Sequence, residues 1–200
     1  VVDGQVLRGN EPWTSWDEAC GLLPRPITGR GTHGGGRRGG GPPGTGHSDG
    51  MQFAKVRVDR ETGVVMVDHI VALQACGRIV SRKTAESQLI GGVIQGVSYA
   101  LFEERVLDRQ TGAMVNANME WYRILGSKDM PHIEPVLWDD GATGVRPLGE
   151  PPVIPTAGAI GNAVANALGV RVRSLPISPA RVLAALAEAD AKANPNGGSA

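Results

Sequence analysis

Residues 51–104 read MQFAKVRVDRETGVVMVDHIVALQACGRIVSRKTAESQLIGGVIQGVSYALFEE, and this run decides the fold class. From Met51 to Asp59 the residues alternate, with Phe53, Lys55, Arg57 and Asp59 on one side and Ala54, Val56 and Val58 on the other. A period of two is that of a strand with one apolar face. Arg60-Glu61-Thr62-Gly63 is a turn ending in glycine. Val64–Ala75 is β-branched and mostly apolar, which predicts a buried strand and hence a hairpin. The period then changes. Over Thr84–Val106, Ile90, Val93, Ile94, Val97 and Leu101 recur at helical spacing, with Thr84 as the expected N-cap. Gly91, Gly92, Gly96 and Ser98 interrupt this helix, and each glycine costs about 1 kcal/mol relative to alanine. Such a cost makes sense if another backbone, or a bulky ligand, packs closely against it.

Working outward, Val1–Arg8 reads as a hairpin around Asp3-Gly4, and Thr14–Leu23 as a short helix capped by Thr14 with Asp17 in its first turn. Residues 29–50 hold eleven of the chain's 29 glycines, with Arg37 and Arg38 among them. That composition predicts a flexible loop, because it offers little apolar surface to bury. No strand feeds it with the fixed glycine spacing of a phosphate cradle. Downstream, His132–Trp138 reads as a strand made imperfect by Pro135, and Pro155–Leu168 as a helix closed by Gly169. Val170–Ser174 reads as a strand, and Ser178-Pro179 opens a last helix to Ala191. The fold class is α+β: β-hairpins and a short mixed sheet packed with two or three helices. The divisions are 1–28, a hairpin and short helix; 29–50, the loop; 51–191, the main domain; and 192–200, a disordered tail.

Twenty basic and twenty acidic residues leave no global field to favour nucleic acid or an anionic membrane. The apolar runs are too short and glycine-broken to span a bilayer. Cys20 and Cys76 are too few for an iron–sulfur cluster or a structural zinc site, and no disulfide framework is expected. His69 lies inside a strand with no second histidine or carboxylate at ligand spacing in sequence, so no protein metal ligand is identified. The chain opens at Val1 in strand register, as a piece of a longer polypeptide would. The expected compartment is the cytoplasm, or the periplasm if a partner subunit carries the chain there.

Chemistry concentrates in a second stretch, RPLGEPPVIPTAGAIGNAVAN, residues 146–166. It sets Glu150 on a tight Gly-Glu-Pro-Pro corner before a helix of small residues. Two prolines stiffen the corner by fixing φ, and Gly149 permits close approach of a ligand. A carboxylate held this way is a candidate general base, or else a solvated glutamate at a helix entry.

Together, CGRIVSRKTAESQLIGGVIQGVSYALFEE (76–104) and GEPPVIPTAGAIGNAVANALGVRVRSLP (149–176) resemble the C-terminal part of the molybdenum-binding subunit of the xanthine dehydrogenase/aldehyde oxidase family. The resemblance runs from about Met51 to Leu186 and is nearest the bacterial separate-subunit aldehyde oxidoreductases. It implies Glu150 as the catalytic base. It also implies two cofactor-facing loops: Arg78, Ile79, Val80, Ser81, Arg82, Lys83 and Thr84 with Gln88, and Arg146, Pro147, Leu148 and Gly149. The cofactor would be molybdenum–molybdopterin in its cytosine dinucleotide form, with 2Fe-2S clusters and FAD on partner subunits. The implied partners are the remainder of the molybdenum subunit, an iron–sulfur subunit and an FAD subunit. The implied reaction is hydroxylation of an aldehyde or purine-like N-heterocycle with water as oxygen source. Ser81-Arg82 stands where the family often has Asn-Pro, and Pro147-Leu148-Gly149 where it often has Gly-x-Gly. The loop at 29–50 also departs from the family pattern. Two other classes stay open on the residues: a noncatalytic, partner-binding remnant, and a phosphate-binding module using the helix start at Thr84.

Overall fold

The computed structural model describes residues 3–25, 28, 48–139, 141 and 144–194. The chain divides into two compact units, residues 1–40 and 41–200. The expected loop at 29–50 and tail at 192–200 fall largely outside the described residues. Of the loop, Asp49 and Gly50 already belong to a strand, and of the tail, residues 192 and 193 belong to a helix.

In the first unit, β1 (Gln5–Arg8) pairs antiparallel with β2 (Glu11–Ser15), and α1 (Trp16–Gly21) follows. The hairpin therefore turns after Arg8, with Gly9 at φ 69°, and not around Asp3-Gly4. Asp3 and Gly4 do adopt left-handed backbone, but their turn leads the chain into β1 and lets the Gly4 carbonyl accept from Trp16 N–H at 2.9 Å. The helix cap is Ser15, one residue later than expected. Ser15 stands three before Glu18, which closes a reciprocal capping box. The Thr14 hydroxyl donates instead to the Glu18 carboxylate at 2.7 Å.

In the second unit, β3 (Asp49–Val58) and β4 (Val65–Ala75) form the expected hairpin, with Gly63 at φ 74° in its turn. β5 (His132–Leu137) adds to β4 in parallel, His69 beside His132, giving a three-stranded mixed sheet in the order β3-β4-β5. The alternation in β3 holds: Ala54, Val56 and Val58 face the core while Phe53, Lys55 and Arg57 are exposed. Two helices lie on the inner face, α2 (Arg82–Leu101) and α3 (Ile154–Leu168), and a third, α4 (Pro179–Ala193), adds Val182 and Leu186 to the same core. Ile70 and Ala72 of β4 pack with Leu89, Val93 and Val97 of α2, Ile160 and Val164 of α3, and Val182 of α4.

Three expectations need correction. α2 begins at Arg82 with Ser81 as its cap residue, so Thr84 sits inside the first turn and donates to the Ser81 carbonyl at 3.1 Å. Its buried stripe runs through Leu89, Val93, Val97 and Ala100 together with Gly92 and Gly96, while Ile90 and Ile94 are half-buried. The glycines draw the stripe round because they carry the contacts with Pro152, just before α3, and with Thr156 inside it. Finally, Val170–Ser174 forms no strand. Val170 and Val172 pack on the core, but no backbone hydrogen bonds join the segment to a neighbour among the described residues.

Candidate active site

The Gly-Glu-Pro-Pro corner is a single 3-10 turn, Pro151–Val153, that leads directly into α3. Glu150 is the residue before it, at φ −109° and ψ −23°, and Val153 N–H donates to its carbonyl at 3.0 Å. Its carboxylate is exposed and takes part in no hydrogen bond among the described residues. Pro152, by contrast, is fully buried. A Cβ on Gly92 would lie 2.6 Å from the Pro152 Cβ, and one on Gly96 would collide with the Thr156 side chain. Positions 92 and 96 thus meet positions 152 and 156 in matching steps of four, so α2 runs alongside the corner and the start of α3. Of the two explanations for these glycines, close packing of a neighbouring segment of the chain is the one found, Pro152 at Gly92 and the Thr156 side chain at Gly96. Gly91 faces open space.

The two chemistry-bearing loops meet. Gly77 bridges Val145 antiparallel, Arg78 N–H donates to the Gly144 carbonyl at 2.9 Å, and Arg146 N–H donates to the Cys76 carbonyl at 2.8 Å. Gly77 sits at φ 68°, and a side chain there would run into the Gly144 carbonyl, so the crossing requires glycine. Gln88 Nε2 then donates to the Gly149 carbonyl at 2.7 Å, tying α2 to the corner.

Between the loops lies an open cleft of about 270 Å³. From the first loop it is lined by Arg78, Ile79, Val80, Ser81, Thr84 and Gln88, and from the second by Arg146, Leu148 and Gly149. The other candidates are placed differently. Arg82 pairs with Glu86 at 2.9 Å, Lys83 is exposed outside the lining, and Pro147 contributes its carbonyl to the Ser48 hydroxyl. Glu150 is adjacent to the lining at Gly149 and not part of it. Cys76, Ala85 and Val145 also line the cleft and were not singled out in the sequence. An added Cβ at Gly149 would meet nothing within 4 Å, so the cleft wall is open there.

His69 has neighbours that its sequence context hides. The parallel β4–β5 pairing puts the His132 ring centroid at 4.9 Å and a Glu134 carboxylate oxygen 3.4 Å from His69 Nε2. Even so, no cluster of three or more histidine, cysteine or acidic side chains among the described residues is arranged to hold a metal.

Residues 2–131 match the family described as the molybdopterin cofactor-binding domain. The chain belongs to this family. It is 39% identical over 139 residues to the aldehyde oxidoreductase molybdenum-binding subunit of Escherichia coli, covering 66% of this chain and 19% of that one. It is 36% identical over 137 residues to an Escherichia coli xanthine dehydrogenase molybdenum-binding subunit, covering 66% of this chain and 18% of that one. Among solved structures, the aldehyde oxidoreductase from Desulfovibrio desulfuricans superposes with a TM-score of 0.62 at 30% identity, over 69% of this chain and 15% of that one. The chain therefore spans under a fifth of the length of these relatives. The mixed helix and strand content agrees with those structures. Among the described residues, no helix is long and apolar enough to cross a membrane.

The cleft fits a molybdopterin cofactor in its own chemistry. It combines two guanidinium-bearing residues, Arg78 and Arg146, with hydroxyl groups on Ser81 and Thr84 at the start of α2. Anionic phosphate and a polar pterin edge are suited to such donors.

Proposed function

We propose that this chain is the C-terminal segment of the molybdenum subunit of a hydroxylase of the aldehyde oxidoreductase branch, with Glu150 as its general base. One observation carries the reading: two segments 61 residues apart are joined by the Gln88–Gly149 hydrogen bond into one open cleft, and Glu150 is the next residue. Arg78, Ser81, Thr84 and Gln88 would hold one side of a molybdopterin dinucleotide, in its cytosine form, and Arg146, Leu148 and Gly149 the other. Arg82 and Lys83, in the first turn of α2, and Pro147 stand outside the cleft lining and flank the residues that would make the contacts. When bound, the cofactor supplies the two-electron acceptor of the reaction.

Glu150 is suited to take a proton because its carboxylate is exposed and has no competing partner, while its backbone belongs to a stiff turn. The overall change would be oxidation of an aldehyde or N-heterocycle carbon with water as oxygen source, releasing two protons and two electrons. The electrons would pass to 2Fe-2S and FAD subunits. The opposite wall of the substrate pocket would come from the rest of the molybdenum subunit, so the isolated chain would not turn over substrate. The setting that goes with this reading is the cytoplasm, or the periplasm if a partner subunit carries the chain there. In the assembled enzyme, Glu150→Gln should retain molybdenum and lower turnover by about 10²–10⁴-fold. Turnover close to wild type would refute the assignment.

A further inference from the structure

Building on the assignment of Glu150 as base, we infer that Gln52 and Thr156 form a buried bridge that positions it. Gln52 lies on β3, on the same inward face as Ala54, Val56 and Val58, where an apolar residue would be expected. Gln52 is 9% exposed and Thr156 is fully buried. Gln52 Nε2 donates to the Pro152 carbonyl at 2.7 Å, across 100 residues of sequence. The Thr156 hydroxyl donates to Gln52 Oε1 at 2.7 Å, and its oxygen lies 3.3 Å from the same Pro152 carbonyl. A hydroxyl has one proton, and the shorter contact takes it. The chain of donors is therefore Thr156 to Gln52 to Pro152, and it ends two residues from Glu150.

This bridge does for the corner what backbone pairing cannot. Pro151 and Pro152 have no N–H, so the sheet can hold the turn only through its carbonyl oxygens. Inside the core a hydrogen bond of this kind is stronger than in water, and leaving one end of it unmade is costly. α2 closes the other side, with Gly92 against Pro152 and Gly96 against Thr156. Gln52 and Thr156 touch neither the cleft nor the Glu150 carboxylate, so they act through the Pro152 carbonyl as positioning residues.

The test compares Thr156→Val, Thr156→Ser, Gln52→Met and Glu150→Gln in the assembled enzyme. It reads kcat, KM, molybdenum content and hydrogen exchange of the Val153 amide, which donates to the Glu150 carbonyl. Misplacing a catalytic group by about 1 Å can cost on the order of a hundredfold. Thr156→Val and Gln52→Met should each lower kcat about tenfold to a hundredfold, leave KM and molybdenum within about twofold, and speed exchange at Val153. Thr156→Ser, which keeps the hydroxyl, should restore kcat and exchange. The two damaging variants break opposite ends of one bridge, so either suffices if the other does not fold. A lower melting temperature with kcat within about twofold of wild type, while Glu150→Gln is inactive, would overturn the positioning role and leave the base in place. An active Glu150→Gln would instead overturn the base itself.

Discussion

Two adjacent glycines in α2 separate packing from helix propensity. Gly91→Ala places a methyl in open space, so it should gain the propensity difference, about 1 kcal/mol. Gly92→Ala gains the same term but puts its Cβ 2.6 Å from the Pro152 Cβ and 3.3 Å from the Pro152 carbonyl carbon. Carbon atoms rest at about 3.5–4.0 Å, so the helix or the corner must move by about 1 Å. Overpacking of that size costs about 1–3 kcal/mol. The propensity terms cancel in the comparison, and the difference between the two variants is the packing term alone. For a domain of this size each kcal/mol moves the melting temperature by about 2–4 °C. Thermal denaturation followed by circular dichroism should therefore place Gly92→Ala below Gly91→Ala by at least about 2 °C, and by as much as about 12 °C. Equal melting temperatures would show that α2 does not press against the corner, and the argument for a gripped Glu150 would lose one of its sides.

Two further outcomes follow from the core and the sheet surface. Ile70 is fully buried where β4 meets the helices, so Ile70→Ala should cost about 2–5 kcal/mol, read as a lower urea midpoint at unchanged slope. Asp68 is held below the usual carboxylate range, first by its hydrogen bond from the Arg57 guanidinium, which lies 2.9 Å away. A depressed folded value means the stabilisation is present above the unfolded value of about 3.9 and is lost as pH falls through the folded one. Wild type should accordingly exceed Asp68→Asn in melting temperature at pH 7, and the gap should close in acid. A gap that widens below about pH 4 would contradict the sign.

The parts of the fold with strong local periodicity were legible. The hairpin of β3 and β4, the long helix and the glycine-closed α3 all follow from patterns within one element. What the chain hides is pairing at a distance. Val170–Ser174 alternates as a strand should, yet alternation specifies a face and not a neighbour, and no strand lies beside it among the described residues. His69 showed no partner in sequence because its neighbours arrive on β5, more than sixty residues away, through a parallel register. The same holds at the candidate site. The two loops were recognisable from their residues, but their crossing depends on Gly77 and the Gly144 carbonyl, which no local pattern marks. Gln52 did leave a signal: it is the polar residue on the inward face of an otherwise apolar strand. Arg82 and Lys83 looked equivalent to Arg78 in composition, and only the direction of the helix start separates them from the cleft.

The corner also explains why the sheet and α2 hold it through side-chain donors. A segment reading Pro147-Leu148-Gly149-Glu150-Pro151-Pro152 is poor in backbone N–H and rich in carbonyls. Ser48 donates to the Pro147 carbonyl, Gln88 to that of Gly149 and Gln52 to that of Pro152. These three donors come from residue 48 just before β3, from α2 and from β3, so both the sheet and the long helix fix the segment. They bracket residue 150 and leave its side chain untouched. An arrangement that served only to enter α3 would have no need to secure both flanks of an exposed glutamate. Holding the backbone on each side while sparing the carboxylate is what a base requires, because rigidity then adds no hydrogen bond that competes for the proton it must accept.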